Sequence, residues 1–272
     1  MRRPTAWVRR SRLFRTIAKL AKQYLKWFGN ASYKPHKNGE RWVLAQLRDE
    51  PIRSVLDVGA NVGDWALLAA ELLPNATVWA LEIVPATFVR LRERVGDHSH
   101  IRCFNLGLAD REGVLRIHYD PAASTHATFT EYPHGGTREL IECAVRTGDA
   151  FVREQAIDRV DFLKMDVEGA EHLVLAGLAE LLSARRVRFV QFEYGRVNIL
   201  TKFLLRDFHE LLRHYGYVVG KIFPDFVDFR PYDLGDEDFL GPNYLACQAD
   251  DPALPRLSDT VRAAARSRTG SP

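Results

Sequence analysis

Cysteine is scarce in this sequence, whose 272 residues contain only three. Cys103, Cys143 and Cys247 form no C-x-x-C pair, so too few ligands stand at metal spacing for a zinc site. The same scarcity excludes a disulfide framework. We therefore expect reduced thiols and a cytoplasmic protein.

Long apolar stretches are also missing. None approaches the roughly 18 residues that a helix needs to cross a bilayer, and the first residues lack the uninterrupted apolar region of a secretory signal. The hydrophobic content is nevertheless 46% and the aromatic content 11%. These values are typical of a chain that folds around its own core, and they exclude disorder over the whole length.

Acidic residues are absent from residues 1–39, which hold 11 of the 38 Lys and Arg residues. The rest of the chain has 27 basic residues against 35 acidic ones and is mildly acidic. Any contact with a polyanion or a membrane therefore belongs to the N-terminal segment. Nucleic-acid binding is not expected, because no basic stripe with interleaved aromatic residues follows.

A helical wheel of the first 30 residues predicts a basic amphipathic helix. Its apolar face carries Phe14, Ile17, Ala18, Ala21, Tyr24, Leu25 and Phe28, and its basic face carries Arg12, Arg15, Lys19, Lys22 and Lys26. Three interpretations stay open. The apolar face packs onto the domain, or it lies on an anionic membrane with Trp7, Trp27 and Phe28 at the interface, or the segment is a mitochondrial presequence.

From Ser54 onward, short β-branched runs alternate with helical patterns, which predicts a doubly wound α/β fold with a mostly parallel sheet. The expected strands are 54–58, 77–82, 101–106, 160–166 and 187–193, and the expected helices are 64–73, 85–95, 170–182 and 202–214. Residues 217–223 and 243–248 are expected to form a terminal hairpin on one sheet edge. We divide the chain into a basic arm at 1–50, the α/β domain at 51–249 and a disordered tail at 250–272.

An insertion at residues 107–147 interrupts this alternation. Two further strands, 114–119 and 141–146, flank a polar loop that contains His126, His134 and two glycines. A long polar loop of this kind is typical of a binding loop or lid.

Acidic side chains stand at the carboxyl ends of four of the predicted strands. They are Asp57, Glu82, Asp166 with Glu168, and Glu193. Ligands of open α/β sheets bind beyond the carboxyl ends of the strands, so these residues are the first candidates for a site.

The first turn, at residues 57–63, departs from a dinucleotide fingerprint. Gly59 and Gly63 permit a tight turn, but Asn61 and Asp64 stand where the second and third glycines of G-x-G-x-x-G would be. An acid there would repel a pyrophosphate. A cationic ligand that bears a ribose fits better, since Glu82 can accept hydrogen bonds from both ribose hydroxyls and Asp57 can face an ammonium group.

With these motifs, residues 53–248 resemble the S-adenosylmethionine-dependent methyltransferases of the FkbM type. The resemblance lies in VLDVGANVG at 55–63, ALE at 80–82 with Pro85, LADREG at 108–113 and, above all, VDFLKMDVEGAE at 160–171. Ile83 and Val84 separate Glu82 from Pro85, whereas the family usually has the acid and the proline together.

The resemblance implies a Rossmann-like class I methyltransferase sheet of seven strands with an antiparallel last strand. It also implies S-adenosylmethionine as the cofactor and, as the acceptor, a hydroxyl group on a sugar, a glycan or a secondary metabolite. Carried over by position, the cofactor-binding residues divide into a methionine end, a ribose contact and an adenine contact. They are Asp57, Gly59, Asn61 and Gly63, then Glu82, then Ile83 with Leu106 or Leu108.

Three charged residues, Lys164, Asp166 and Glu168, point to the same side of their strand by the two-residue period. We hypothesise that Asp166 or Glu168 accepts the hydroxyl proton while Lys164 orients the acceptor. A purely structural ion pair is the alternative.

Glu193 and Tyr194 are placed to bind acceptor hydroxyls, together with His126 of the inserted loop. His126 and His134 are alternative bases, and His172 is a weaker one. We expect no metal, although Asp166, Glu168 and Glu193 offer the oxygen ligands that a divalent cation would need.

Two further functions stay open. An NAD-dependent oxidoreductase would use Glu82 on the ribose in the same way, and a non-catalytic scaffold would attach to a membrane through residues 1–30. Either way, the expected location is cytoplasmic, with peripheral contact to the inner face of a membrane as an option.

Overall fold

The computed structural model describes residues 10–119, 139–240 and 242–258. Its helices are α1 (Arg12–Phe28), α2 (Glu40–Gln46), α3 (Asp64–Leu72), α4 (Pro85–Val95), α5 (Gly148–Glu154), α6 (Glu171–Ala176), α7 (Ala179–Ser183), α8 (Asn198–Thr201), α9 (Leu205–His214) and α10 (Leu254–Leu257). Its strands are β1 (Ser54–Val58), β2 (Thr77–Leu81), β3 (Ile101–Phe104), β4 (Gly107–Leu108), β5 (Gly113–Tyr119), β6 (Glu139–Arg146), β7 (Val160–Met165), β8 (Val187–Glu193), β9 (Tyr217–Ile222), β10 (Val227–Phe229) and β11 (Asn243–Gln248).

The main sheet has the strand order β10-β9-β11-β8-β7-β1-β2-β3. The pairs from β3 to β8 are parallel, whereas β11 runs antiparallel to both β8 and β9. The predicted doubly wound, mostly parallel sheet with a reversed last strand is therefore confirmed. Within the described residues it has eight strands rather than seven, because the three-residue strand β10 pairs with β9 at the edge.

Two apolar layers cover the sheet, as a parallel sheet requires. Strand β1 is buried along its whole length, with Val55 facing one layer and Leu56 the other. One layer packs α2, α3, α4 and α10 against the sheet, and the other packs α5, α6, α7 and α9. The carboxyl ends of the parallel strands are thereby left as the open edge.

The insertion forms a second sheet of three strands in the order β4-β6-β5. Strands β5 and β6 pair antiparallel from Gly113↔Val145 to Tyr119↔Glu139, close to the predicted pair of strands. The connecting loop, with His126 and His134, lies outside the described residues.

Three predicted elements differ in detail. The pairing of β9 with β11 is as expected, but β11 inserts between β8 and β9 instead of lying on an edge. The helix predicted at 170–182 is two short helices, α6 and α7, which separate at Gly177. The helix predicted at 202–214 is α9, preceded by the separate turn α8, because Lys202 has a left-handed backbone with φ of +59°.

Both ends of the domain extend past the predicted boundaries at 51 and 249. Helix α2 buries Val43 and Leu44 completely, and helix α10 does the same with Leu257. The prediction of a disordered tail is wrong for residues 250–258, because Asp251 pairs with Arg188 and anchors α10 on the core. Residues 259–272 lie outside the described part of the chain.

Helix α1 has the predicted basic and apolar faces. None of its residues is buried by the rest of the described chain. Among the described residues, no helix combines the length and apolar character needed to cross a membrane.

The close approach at Gly177 supplies a test of this packing. A β-carbon at Gly177 would lie 2.0 Å from the Ala109 carbonyl oxygen, whereas one at Gly195 would meet nothing within 4 Å. We expect Gly177→Ala to lower the free energy of unfolding by about 1–3 kcal/mol, since the backbone contact cannot yield without displacing α6. Gly195→Ala is the control and should change it by less than about 1 kcal/mol in urea unfolding. Equal effects of the two changes would contradict this account.

Candidate active site

A pocket opens at the carboxyl edge of the main sheet, beyond β1, β2 and β7. The space between its walls is about 800 Å³ when the open solvent at its mouth is included. Three groups of residues line it: the first turn and the end of β2, the second sheet, and the segment after β7. They are Val58, Gly59, Asn61, Leu81, Glu82 and Ile83; Leu106, Gly107, Leu108, Leu115 and Ile117; and Asp166, Val167, Glu168, Ala170 and Leu173.

The backbone conformation of the first turn requires a glycine at one position. Gly59 has φ of +82°, and a β-carbon there would lie 1.9 Å from the Asp166 carbonyl oxygen. Only glycine allows this approach, so the turn after β1 and the segment after β7 close against each other. Asn61 also adopts a left-handed conformation, with φ of +49°.

The side chain of Glu82 is held by backbone donors on both oxygens. Its Oε2 accepts a hydrogen bond from the Asn61 N–H at 2.9 Å, and its Oε1 accepts one from the Val84 N–H at 2.8 Å. Burial nevertheless raises the pKa of Glu82 to about 7. The carboxyl group is therefore rigidly oriented at the pocket wall.

The Lys164 ammonium group lies behind the pocket, between two carboxylates. Its Nζ is 3.1 Å from Asp57 Oδ1 and 3.4 Å from Asp166 Oδ2. Asp57 and Lys164 are directly paired in the register of β1 and β7, which explains the first contact. Burial opposes the charge on Lys164, but Asp57 and Asp166 outweigh it and raise the pKa of the ammonium group. Burial raises the pKa of Asp57, whose Oδ2 has no hydrogen-bond partner among the described residues.

Glu40 of α2 adds a third carboxyl group to this cluster. It accepts hydrogen bonds from Asn38, Gln191 and Asn243 at 2.6–2.8 Å. Gln191 stands opposite Lys164 in the register of β7 and β8. Burial raises the pKa of Glu40, and Lys164 acts against that shift. Helix α2 is thus joined to the polar centre of the sheet.

Carboxyl groups crowd the segment after β7. Burial opposes the ionisation of Asp166, but Lys164 and a hydrogen bond with Glu193 outweigh it and lower the pKa of Asp166. Burial, followed by the charge of Asp166, raises the pKa of Glu193 well above its ordinary value and that of Glu168 to about 8. One carboxylate is therefore held ionised, while its neighbours keep protons to higher pH.

The combination of glycine turn, buried acid and VDFLKMDVEGAE segment is matched by a known protein family. The model of the methyltransferase FkbM domain matches residues 57–219. The chain belongs to the FkbM methyltransferase family.

Three relatives illustrate the match. The 2-O-methyltransferase NoeI of Sinorhizobium fredii is 28% identical over 61% of this chain and 70% of its own length. The 31-O-demethyl-FK506 methyltransferase FkbM of Streptomyces tacrolimicus is 31% identical over 61% of this chain and 72% of its own. The hexuronic acid methyltransferase AglP of Haloferax volcanii is 29% identical over 58% of this chain and 64% of its own.

Several residues predicted from the sequence line the pocket of this FkbM-family chain. They are Gly59, Asn61, Glu82, Ile83, Leu108, Asp166 and Glu168. Others lie behind it. Asp57 is fully buried against Lys164, and Gly63 is the N-cap residue of α3 and lies next to Leu91. Asp57 is therefore not part of the pocket lining, and its predicted contact with a ligand stays a prediction.

The residues predicted to bind the acceptor do not line the pocket in the described part of the chain. Tyr194 is 1% exposed, stacks on Phe239 and donates its hydroxyl hydrogen bond to Glu237, so it does not face the pocket. Glu193 does not line the pocket, but it forms a hydrogen bond with Asp166, which does. His126 lies outside the described residues. His172 stacks on Phe203, with ring centroids 5.1 Å apart.

Residues of two further segments, β5 and the start of α6, belong to the site and were not predicted from the sequence. Leu115 and Ile117 of β5 form part of the apolar wall, and their two-residue spacing was the available signal. Glu171 orients the loop before α6, since its Oε1 accepts hydrogen bonds from the Val167 and Gly169 N–H groups at 3.1 and 3.4 Å. In residues 10–119, 139–240 and 242–258, no group of three acidic, His or Cys side chains has the geometry of a metal site.

Glu171 provides a test of the buried carboxyl cluster. Burial raises its pKa from 4.5 to about 7, so its stabilising contribution is present below about pH 4.5 and is lost as the pH rises through about 7. We expect Glu171→Gln, which keeps the Oε1 contacts, to reduce the fall in unfolding free energy between about pH 5 and about pH 8 by roughly 3 kcal/mol or less. Urea unfolding at both pH values measures it.

The control is the exposed Glu71→Gln. The hydrogen bond with Arg41 lowers the pKa of Glu71, so Glu71 is ionised in both the folded and the unfolded chain from about pH 5 to about pH 8, and its loss should leave the pH dependence unchanged over that range. An undiminished pH dependence in Glu171→Gln would show that Glu171 is ionised in the folded chain at neutral pH.

Proposed function

We propose that this chain is an S-adenosylmethionine-dependent O-methyltransferase that acts on a hydroxyl group of a sugar, a glycan or a secondary metabolite. The observation that carries the proposal is the fixed carboxyl group of Glu82 beside an apolar wall in one pocket. The names of NoeI, FkbM and AglP, a 2-O-methyltransferase, a 31-O-demethyl-FK506 methyltransferase and a hexuronic acid methyltransferase, support the acceptor class.

The residues present fit a ribose and an adenine ring. Each carboxylate oxygen has two lone pairs, so the Glu82 oxygens that bind Asn61 and Val84 keep capacity for two ribose hydroxyls. Ile83, Leu106 and Leu108 supply an apolar surface for a flat ring. The pyrophosphate of a dinucleotide fits less well, because carboxyl groups surround the pocket and it would be repelled.

The carboxyl groups also suit a cationic donor. S-adenosylmethionine, when bound, supplies a methyl group on a positively charged sulfur. Asp166, held ionised by Lys164, places a negative charge at the pocket wall, with its side chain 41% exposed. A fixed negative charge in a partly buried site attracts a cation without reorganisation of the protein. Holding donor and acceptor in line supplies up to about 7–11 kcal/mol of the barrier reduction.

Glu168 is the residue we assign as general base. It lines the pocket, and its pKa of about 8 makes it a stronger proton acceptor than Asp166, whose pKa is lowered. Lys164 is 7% exposed in its side chain and lies behind Asp166. It therefore acts as a positioning residue through Asp166 rather than by touching the acceptor.

The first test concerns donor binding. We expect Glu82→Ala to weaken binding of S-adenosylhomocysteine by about tenfold or more, because a charge-assisted contact to the ribose is lost. Titration calorimetry measures it, with NAD as a parallel ligand and Glu71→Ala as the exposed control. Binding of NAD alone, or equal affinity of Glu82→Ala and the wild-type chain, would overturn the donor assignment.

The second test concerns proton transfer. The assay follows tritiated methyl groups from S-adenosylmethionine onto a panel of hexoses, hexuronic acids and their glycosides. We expect Glu168→Gln to lower kcat by about 10²–10⁴-fold while leaving the affinity for S-adenosylhomocysteine within about threefold. The wild-type kcat should rise as the pH approaches about 8, where Glu168 becomes ionised, and the variant should lose that rise.

Glu180→Gln on α7 is the matched control, since Glu180 is exposed and pairs only with Arg153. A wild-type rate in Glu168→Gln would transfer the role of base to Asp166 or to a histidine of the inserted loop.

A further inference from the structure

Helix α1 exposes a continuous apolar face along its 17 residues. By the helical period, Leu13, Ile17, Leu20, Tyr24, Trp27 and Phe28 share this face, and each is at least half exposed. The Tyr24 ring lies 6.0 Å from the rings of both Trp27 and Phe28. Large apolar side chains arranged on one side of an exposed helix require a partner that removes them from water.

The opposite face of α1 shows what kind of partner this is. It carries Arg12, Arg15, Lys19, Lys22 and Lys26, and the helix contains no acidic residue. An apolar face that carries aromatic side chains, flanked by uncompensated positive charge, complements the surface of an anionic bilayer. A nucleic acid would be bound by the charges alone and would leave the apolar face exposed.

The connection after α1 is tied to the carboxyl edge of the main sheet. Asn30 donates hydrogen bonds from Nδ2 to the carbonyl oxygens of Asn38 at 2.7 Å and of Ile222, the last residue of β9, at 2.8 Å. Gly39 packs so closely that a β-carbon there would lie 2.0 Å from the Phe223 carbonyl oxygen. Glu40 then joins Gln191 and Asn243.

We propose that α1 is a docking surface for an anionic phospholipid bilayer, and that its attachment at Asn30 and Gly39 holds the carboxyl edge of the sheet towards that bilayer. The apolar face enters the interface and the basic residues contact the lipid headgroups. The placement of the pocket near the bilayer rests on the proposed function, and it makes a hydroxyl compound presented at a membrane surface the acceptor class.

Sedimentation with vesicles tests the apolar face. The full chain is mixed with phosphatidylcholine vesicles that contain about 30% phosphatidylglycerol. Ile17→Glu and Val89→Glu form a matched pair, since Ile17 on α1 is 50% exposed and Val89 on α4 is 54% exposed. We expect Ile17→Glu to lower the partition coefficient by about tenfold or more and Val89→Glu to leave it within about twofold.

Charge variants test the contact between the basic face of α1 and the anionic lipid headgroups. The pair of changes Lys19→Glu and Lys22→Glu should lower binding by about tenfold or more, and vesicles of phosphatidylcholine alone should bind the wild-type chain at least about tenfold more weakly. A wild-type chain that does not sediment overturns the proposal, as does equal binding to neutral vesicles or equal loss in Ile17→Glu and Val89→Glu. A dimer in light scattering that Ile17→Glu dissociates, without vesicle binding, would assign the face to a second copy instead.

Depth and independence from catalysis are measured in the same samples. Trp27 is 74% exposed, so brominated lipids should quench its fluorescence, and the quenching should be smaller in Trp27→Phe, which keeps the other tryptophans. Titration with S-adenosylhomocysteine is repeated on Ile17→Glu and should be unchanged. Loss of vesicle binding in Ile17→Glu, with unchanged binding of S-adenosylhomocysteine, supports the docking surface independently of catalysis. Vesicle binding by a wild-type chain that does not bind S-adenosylhomocysteine would reject only the proposed function.

Discussion

The contact between one buried ammonium group and the carboxylates around it holds the carboxyl edge of the main sheet together. Lys164 is the cation, and the register of β1 and β7 places Asp57 directly beside it. A lysine in this environment stays charged only because carboxylates stand within hydrogen-bond distance. The same ammonium group lowers the pKa of Asp166 at the pocket wall and acts on Glu40, which ties α2 to β8 and β11. Loss of this one charge would leave several buried acids without compensation.

Acids outnumber cations at this edge, and that imbalance gives the pocket its chemistry. Glu82, Glu168 and Glu171 have pKa values raised to about 7 or 8 by burial, while Asp166 is kept ionised. A site of this kind disfavours anions and favours a cationic ligand, and it contains a carboxyl group able to take up a proton near neutral pH. The burial of apolar side chains in the two layers that cover the sheet offsets the unfavourable free energy of burying these carboxyl groups. The basic helix α1 is the opposite case, because none of its residues is buried by the described chain and its charges are exposed.

Much of the fold followed from local patterns, and the exceptions have specific physical causes. The alternation of apolar strands and amphipathic helices predicted β1, α3, α4, β7 and β8 to within a residue or two, since each buries both faces or one clear stripe. The insertion of β11 between β8 and β9 was not predicted, because local patterns indicate a strand but not which strand lies beside it. The ordered segment at 250–258 was missed, since its anchor is the pairing of Asp251 with a distant arginine, Arg188. At the site, Glu40 lies 124 residues before Lys164 in the chain, and no spacing rule connects them.

The sequence by itself determined the fold class, the family, the glycine turn after β1 and the acids that line the pocket, because these depend on residue type at short spacing. Only the tertiary structure decided the contacts of each of these acids. Asp57 contacts Lys164 and does not line the pocket, and Tyr194 donates a hydrogen bond to Glu237. Glu171 accepts a hydrogen bond from the loop after β7. The tertiary structure also decided that the apolar face of α1 is left uncovered by the described domain. Charge, burial and hydrogen-bond partners are set by elements far apart in the chain, and a carboxyl group takes its role from those neighbours.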